Sequence, residues 1–334
     1  MKKIKYIIKR IIHMDFGNFF HVMNEVHKKS NKNRVSIFFD MIYCGFKYQA
    51  GYMDYALFEM YHMNKYERNT VITRGINNSF MVKYNDPKFI HLFHNKVEFN
   101  KQFDKYLNRD WLYLNGKNKN EFASFCLKHN QIIVKPVGAQ CGKDIEKIDV
   151  SERKLKDLYE ELIENNQTLI ESVATQCKKI NDLHPDSINT LRVVTLLGSV
   201  VACYLRIGNN HNTVDNFNHG GMVAPVELEN GKIIYPAIDK AGNLYEVHPL
   251  TKKPIVGLEI PKFDEVIELC ENAALEIPQV GYVGWDVCVG KEKCFFIEAN
   301  EFPGHDIYGL PPHRKNNTGL LPVFKEAEER KFEE

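Results

Sequence analysis

Residues 284–304 read GWDVCVGKEKCFFIEANEFPG, in which two β-rich runs flank Gly290-Lys291-Glu292-Lys293, the composition of a hairpin turn. If Gly290 faces Cys294, the same register sets Asp286 opposite Glu298, with Cβ atoms about 4.5–5.5 Å apart on one face. Period two adds Asn300 to that face and leaves Trp285, Val287, Phe295 and Ile297 to fill the other. Two carboxylates directly opposed in a sheet repel each other unless a cation sits between them. A carboxylate pair with an amide oxygen suits hard Mg²⁺, which takes one or two protein carboxylates and completes its shell with water and phosphate oxygens. The plainer alternative is a solvated hairpin face that is acidic.

Working outward, the chain after residue 120 consists of short β-branched runs broken by Gly, Asn and Asp turns, with helical stretches between them. Strands are expected at 131–135, 145–150, 168–171, 191–197, 199–207, 232–237, 282–289 and 294–299, and helices at 96–107, 121–129, 152–165 and 263–275. The pattern is that of an α+β chain, with no internal period and no low-complexity linker. Residues 34–63 carry an aromatic stripe that includes Phe38, Phe39, Tyr43, Phe46, Tyr48, Tyr55, Phe58 and Tyr61 at spacings mostly of three to four, read as helical core. No strand with a glycine-rich turn precedes residue 90, which argues against a dinucleotide-binding unit there.

A second informative run is IIVKPVGAQCGK at 132–143, where Lys135 closes an apolar strand and a loop containing Gly138 and Gly142 follows. One ammonium and several backbone N–H groups would suit phosphate oxygens. It is not a Walker A loop, because three residues separate the glycines, Asp144 follows Lys143, and the next segment reads as strand. A strand-loop-strand flap over phosphates is the better picture, with an ordinary glycine hairpin as the alternative. Between this loop and the acidic hairpin lie Glu171 and Val173 at a strand end, Arg192 in SINTLR at 187–192, Arg206 in a following strand, and the turn NFNHGG at 216–221 with Asn218, Gly220 and Gly221. Singly, each basic residue is an ordinary surface ion-pair partner. Together with the carboxylates they describe one polyphosphate and metal site.

The whole chain has 334 residues with 44 Lys and Arg against 43 Asp and Glu, a formal charge of +1. That balance excludes a protein that coats nucleic acid. No run reaches the roughly 18 apolar residues of a membrane helix, and the amino terminus has no signal-peptide pattern, so a cytoplasmic location is expected. The first ten residues hold Lys2, Lys3, Lys5, Lys9 and Arg10 without an acid, and Ile4, Ile7, Ile8 and Ile11 recur at helical spacing. Residues 1–12 thus read as a basic amphipathic helix, either a peripheral contact with the inner membrane face or a helix packed on its own domain. Eight scattered cysteines without a Cys-x-x-Cys pair read as reduced, mostly buried thiols.

In order and kind these motifs resemble the ATP-grasp ligases. The end of the chain looks like the D-alanine ligases and the ribosomal-protein glutamate ligases, with Asp286 in a strand, then Glu298-x-Asn300 and Pro303-Gly304. PDSINTLRVVT at 185–195, HPLT at 248–251, IPKF at 260–263 and the aromatic amino-terminal helices narrow the similarity to the sugar-transfer-associated, or alpha-L-glutamate ligase-related, ATP-grasp group. The resemblance implies two α+β lobes clamping ATP, preceded by a helical region: residues 1–90, then a first lobe at 91–170 and a second at 171–334. It implies that Asp286, Glu298 and Asn300 hold two Mg²⁺ ions. Lys96 and Lys135 would be the nucleotide lysines, Glu171 the hinge acid beside Val173, and Arg206, with Arg192 nearby, the arginine that stabilises the γ-phosphate and an acyl phosphate. The implied reaction joins an amino acid or other amine to a carboxylate, in this group a carboxylated sugar, nucleotide- or lipid-linked, bound for surface polysaccharide. Rival readings are an ATP-grasp small-molecule or sugar kinase and a nucleotide-binding regulatory protein without turnover. His305 and Asp306 would contact substrate or cap the turn that precedes them.

Overall fold

The computed structural model describes residues 14–138, 145–210 and 215–333. The basic segment at 1–12 and Gly142 lie outside the described residues. In chain order, α1 (Phe16–Ser30), α2 (Arg34–Tyr48), α3 (Tyr52–Leu57) and α4 (Arg74–Tyr84) come first. Next are α5 (Lys96–Gln102), β1 (Trp111–Tyr113), α6 (Lys119–Lys128), β2 (Gln131–Lys135), β3 (Glu146–Asp149), α7 (Leu155–Glu164) and β4 (Leu169–Ser172). They are followed by β5 (Leu191–Leu196), β6 (Ser199–Ile207), β7 (Met222–Pro225), β8 (Ala237–Asp239), β9 (Leu244–Tyr245), α8 (Phe263–Glu276), β10 (Tyr282–Val289), β11 (Cys294–Asn300) and α9 (Leu321–Glu333).

Two compact units result, one drawn from the described residues up to Lys83 and from Gly304 onward, the other Tyr84–Pro303. The first is helical. Asp15 caps α1 by accepting from the Asn18 amide and Asn33 caps α2 by accepting from that of Val35, while Asn31 and Gln49 end these helices in the left-handed conformation. Phe19, Val22, Met23 and Val26 bury one face of α1, and Ile37, Met41, Cys44 and Tyr48 bury one face of α2. The expected aromatic core therefore divides. Tyr48, Tyr55, Phe58 and Tyr61 are buried, but Phe39, Tyr43 and Phe46 are exposed. Each of these three lies two residues beyond a member of the buried stripe, about 200° around the helix axis, so the aliphatic side of α2 faces inward and the aromatic side faces outward.

The second unit contains both sheets. A four-stranded antiparallel sheet runs β1-β4-β2-β3. Ile132, Val134, Ile148 and Ile170 from it share a core with Phe122 and Cys126 of α6 and Leu158 and Leu162 of α7. A seven-stranded sheet runs β11-β10-β5-β6-β7-β8-β9, and Val193, Cys203, Leu205, Trp285 and Phe296 pack with Val266, Cys270 and Ala273 of α8. The strand expected at 232–237 is displaced: Lys232 makes one isolated bridge to Glu259, and the ladder begins at Ala237, directly after Pro236. Proline has no N–H to give a ladder. The helix expected at 96–107 ends at Gln102 and is followed by a separate 3₁₀ turn at Asp104–Tyr106. All the described cysteines are free thiols, and of them only Cys177 is not fully buried.

The decisive hairpin departs from the simple register in one place. Val289, not Gly290, pairs with Cys294, so the turn takes all four residues Gly290 to Lys293. A Cβ on Gly290 would lie 2.3 Å from the Lys293 carbonyl oxygen, so the turn requires glycine there. Val287 then pairs with Phe296 and Asp286 with Glu298, leaving Ile297 as the extra residue of a β-bulge. The bulge restores the opposition of the two carboxylates and exchanges one packing partner: Phe296, rather than Phe295, lies on the core side, stacked on Trp285 with centroids 4.8 Å apart.

Candidate active site

Pairing across three strands sets Glu298 of β11, Asp286 of β10 and Arg192 of β5 in one row of the sheet. Arg192 grips Asp286 with both prongs, Nε to Oδ1 at 2.5 Å and Nη2 to Oδ2 at 3.0 Å. Arg206, buried on β6, adds Nη2 at 3.0 Å from Asp286 Oδ2. Burial opposes a charge on Asp286, yet the two guanidiniums outweigh it and hold the carboxyl below its usual range. Glu298 behaves oppositely. Burial and the Asp286 charge push its carboxyl up, against the pull of Arg206, Lys96 and Lys135. A hydrogen bond links the two carboxyls, and the two facing acids answer to opposite fields, Asp286 held down by its guanidiniums and Glu298 pushed up by burial and by Asp286.

Arg206 is itself fixed from below. Its Nε and Nη2 donate to Thr190 Oγ1 at 3.0 and 2.8 Å, and Nη2 lies 3.3 Å from Asp215 Oδ1. Asp215 Oδ2 in turn accepts from the Thr190 amide at 2.8 Å and its hydroxyl at 2.5 Å. Burial raises the Asp215 carboxyl, with Arg206 and Thr190 acting in the other direction.

The four-stranded sheet contributes a second ion cluster. Lys135, buried at the end of β2, places Nζ 2.6 Å from Glu171 Oε2 on β4. Arg109 donates from Nε to Glu171 Oε2 at 2.9 Å and from Nη2 to Oε1 at 3.2 Å, while Asn100 Nδ2 donates to Oε1 at 3.0 Å. Burial disfavours the Glu171 charge, but Arg109 and Lys135 overcome it and hold the carboxyl far below its ordinary value. Lys96 is the first residue of α5, whose cap is the Asn95 side chain, and its backbone N–H reaches the Val137 carbonyl at 3.4 Å. Burial and the neighbouring Lys135 charge lower the Lys96 ammonium, while Glu298 and Glu171 raise it. These mutual fields join the two clusters: Lys96 and Lys135 act on both Glu171 and Glu298.

The structure thus brings Lys96, Lys135, Glu171, Arg192, Arg206, Asp286 and Glu298 into one charged site. Asn300 lies opposite Gly284, on the strand face of Glu298. Gly138 is exposed in the loop after β2, and Val173 is half-buried just past β4. Asn218 belongs to a 3₁₀ turn at Phe217–His219 capped by the Asn216 side chain, and Gly220 follows with φ 94°. A Cβ on Gly221 would lie 2.2 Å from the Asp215 carbonyl oxygen, so this glycine lets the turn close over Asp215 before β7 pairs with β6 beside Arg206. His305 lies in the helical unit, where its Nε2 is 2.8 Å from Asp54 Oδ1, and Asp54 Oδ2 accepts from the amides of Gly51 and Arg74.

Arg109, Asn100, Thr190 and Asp215 were not singled out by the sequence. Thr190 stood inside the SINTLR run, and Asp215 directly precedes the Asn-rich turn. Arg109 had no local signal, because β1, which follows it, is only three residues long. Among the described residues no group of three His, Cys, Asp or Glu side chains is arranged to hold a metal. A carboxylate pair with one amide oxygen fits a cation that takes few protein ligands and shares phosphate oxygens, as Mg²⁺ does, and the raised Glu298 carboxyl beside Asp286 is the electrostatic mark of such a place.

Helices followed by two antiparallel α+β sheets that carry this site constitute an ATP-grasp fold. The sugar-transfer associated ATP-grasp family matches residues 75–329, and the chain belongs to it. No curated protein matches the chain. Among solved structures it is similar to the ATP-grasp ligase PsnB complexed with a minimal precursor, at 15% identity over 74% of this chain and 64% of that one, with a TM-score of 0.45. It is also similar to D-cycloserine synthetase DcsG, at 8% identity over 74% and 73% of the two chains with a TM-score of 0.44. A third is D-alanyl-alanine synthetase A of Vibrio cholerae, at 12% identity over 70% and 60% with a TM-score of 0.41. The chain spans 64% of the length of PsnB.

Proposed function

We propose that the protein is an ATP-dependent carboxylate-amine ligase. A substrate carboxylate attacks the γ-phosphorus of ATP and releases ADP. The amine then attacks the acyl phosphate carbon, phosphate leaves, and the amine's proton passes to solvent as the amide forms. The observation that carries this reading is the buried row Glu298, Asp286 and Arg192, with Arg206, Lys96 and Lys135 directed at the same place. Four cations around two facing carboxylates suit a triphosphate and its metal.

In this reading Asp286, Glu298 and Asn300 hold Mg²⁺, two ions by family resemblance, which supplies charge neutralisation for the phosphoryl oxygens. Lys96 and Lys135 bind the nucleotide phosphates, with the backbone of Gly138 and Gly142, which follow Lys135 in sequence, proposed to serve the same phosphates. Arg206, positioned by Thr190 and Asp215, neutralises the γ-phosphate as charge develops, and Arg192 keeps Asp286 ionised. Val173 and Glu171 border the adenosine, and Asn218, Gly220 and Gly221 line the substrate side. The family's association with sugar transfer supports a carboxylated sugar as acid, with an amino acid or other amine as partner and surface polysaccharide as destination.

A phosphate-release screen of the full chain with Mg-ATP against a matrix of sugar acids and amines, with mass detection of products, tests this. Phosphate should appear only when acid and amine are both present, with an amide product. AMP and pyrophosphate would sink the acyl-phosphate route, and transfer to a hydroxyl without amine would make the protein a kinase.

A further inference from the structure

The outward face of α2 inverts the usual pattern, in which a surface helix turns its polar side to water. Phe39, Tyr43 and Phe46 are 65%, 47% and 51% exposed, and between the first turn and Lys47 no other residue of α2 is exposed. On α1, Phe16 and Phe20 are 52% and 47% exposed. Edge contacts from Phe20 to Phe19, Phe19 to Phe38 and Phe38 to Phe39 tie the exposed rings of Phe20 and Phe39 together through buried Phe19 and half-buried Phe38. Five exposed aromatic rings on two packed helices are more apolar surface than a soluble protein usually leaves without a partner.

Charge says which partner. Residues 1–48 hold ten Lys and Arg against three Asp and Glu, a net +7 in a chain whose total is +1. The three acids are engaged within the unit: Asp15 caps α1, Glu25 pairs with Lys28 at 2.8 Å, and Asp40 is held by both prongs of Arg68 at 2.7 Å. Five of those ten bases fall in the first ten residues, which hold no acid. Among the described residues no helix is long and apolar enough to cross a membrane. Exposed aromatics next to excess positive charge fit a surface that lies in the headgroup region of an anionic bilayer.

We infer that Phe16, Phe20, Phe39, Tyr43 and Phe46 form a membrane-docking face that inserts shallowly into an anionic leaflet, to which the net positive charge of residues 1–48 draws it. The inference stands on the helical unit alone, so its failure leaves the ligase reading untouched.

Co-sedimentation of the full chain with phosphatidylcholine vesicles, with and without phosphatidylglycerol, tests it. Binding should require phosphatidylglycerol and weaken with salt. The double variant Phe39→Ser, Phe46→Ser should bind roughly tenfold more weakly, what about 1.4 kcal/mol of lost apolar burial amounts to. Because both positions are exposed, its helical circular dichroism should match the wild type. A second variant, Phe39→Trp, should retain binding and show a blue-shifted emission only with anionic vesicles. Equal sedimentation with both vesicle types overturns the inference. So does full binding by the double serine variant coupled to complete loss on deleting residues 1–13, which would leave the basic segment as sole anchor. A dimer that the serine substitutions dissolve, with no vesicle binding by the wild type, would assign the face to a second copy instead.

Discussion

At the residue scale, the two glutamates of the site answer to opposite fields. Glu171 is buried among Arg109, Lys135 and Asn100, and its carboxyl titrates well below the ordinary range. A group whose folded value is depressed adds stability above its unfolded pKa, near 4.3 for glutamate, and that stability is lost as pH falls towards the folded value. Urea unfolding of the full chain should therefore lose stability progressively below about pH 4.5. Glu171→Gln should remove that part of the slope and cost on the order of 3–5 kcal/mol at neutral pH, because two buried cations lose their counter-charge. An unchanged pH slope in the variant would show that the pairing carries no stability. Glu298 is the converse: burial and Asp286 penalise its charge. Glu298→Gln relieves that repulsion, so the ligand-free protein should be more stable by about 1 kcal/mol, while the rise in Tm that the proposed Mg-ATP site predicts should disappear. A variant that keeps the Mg-ATP shift would overturn the proposed role of Glu298 in holding Mg²⁺.

The element that makes these positions possible is the bulge in β11. Arg109 fastens it, with Nη2 donating to the Ile297 carbonyl at 3.1 Å and Nη1 to the Phe296 carbonyl, while the same guanidinium holds Glu171. One side chain therefore links the sheet of Lys135 to the strand of Glu298. Arg109→Ala should cost roughly 3–5 kcal/mol by urea unfolding. Arg109→Lys keeps the charge but not the planar fork, and should recover part of that stability while, under the proposed ligase function, still raising KM for ATP more than it lowers kcat. The dependence on Arg109 also explains what the sequence could and could not disclose. Asp286, Glu298 and their turn were legible because alternation and turn composition are local. The one-residue slip at Ile297 was not, because its fastening comes from 188 positions away. Likewise β1, β7 and β9 span three, four and two residues, too short for a period to register, and Pro236 moved the strand expected before it. The charges of the site were readable as types. That Glu171 serves Lys135 and Arg109 at once, and that Asp215 and Thr190 brace Arg206, are properties of packing.

On the scale of the whole molecule, the helical unit is assembled from both ends of the chain. Phe324 of α9 is fully buried, with its ring 5.3 Å from Phe80 and 5.9 Å from Tyr308. The Leu321 amide donates to the Thr70 carbonyl at 2.8 Å, and the Gly319 amide to Thr70 Oγ1 at 2.7 Å. A Cβ on Gly319 would lie 2.5 Å from that carbonyl oxygen, so the approach of the two segments needs a residue without a side chain. Both tryptophans, Trp111 and Trp285, belong to the other unit, which allows the two to be followed separately. Gly319→Ala should destabilise the helical unit by about 1–3 kcal/mol through overpacking, lowering the midpoint seen by far-UV circular dichroism while the tryptophan emission transition moves less. Deleting residues 305–334 should remove more helical signal than α9 itself contributes, since Phe80, Thr70 and Asp54 lose their partners together, and should leave the buried emission of Trp285 in place. If only the signal of α9 is lost, residues 14–83 hold their fold without the carboxyl-terminal segment, and Phe324 is a lid on a finished core. If the emission of Trp285 shifts to that of exposed indole, the sheets need the helices in order to fold, and the two compact units form one cooperative block.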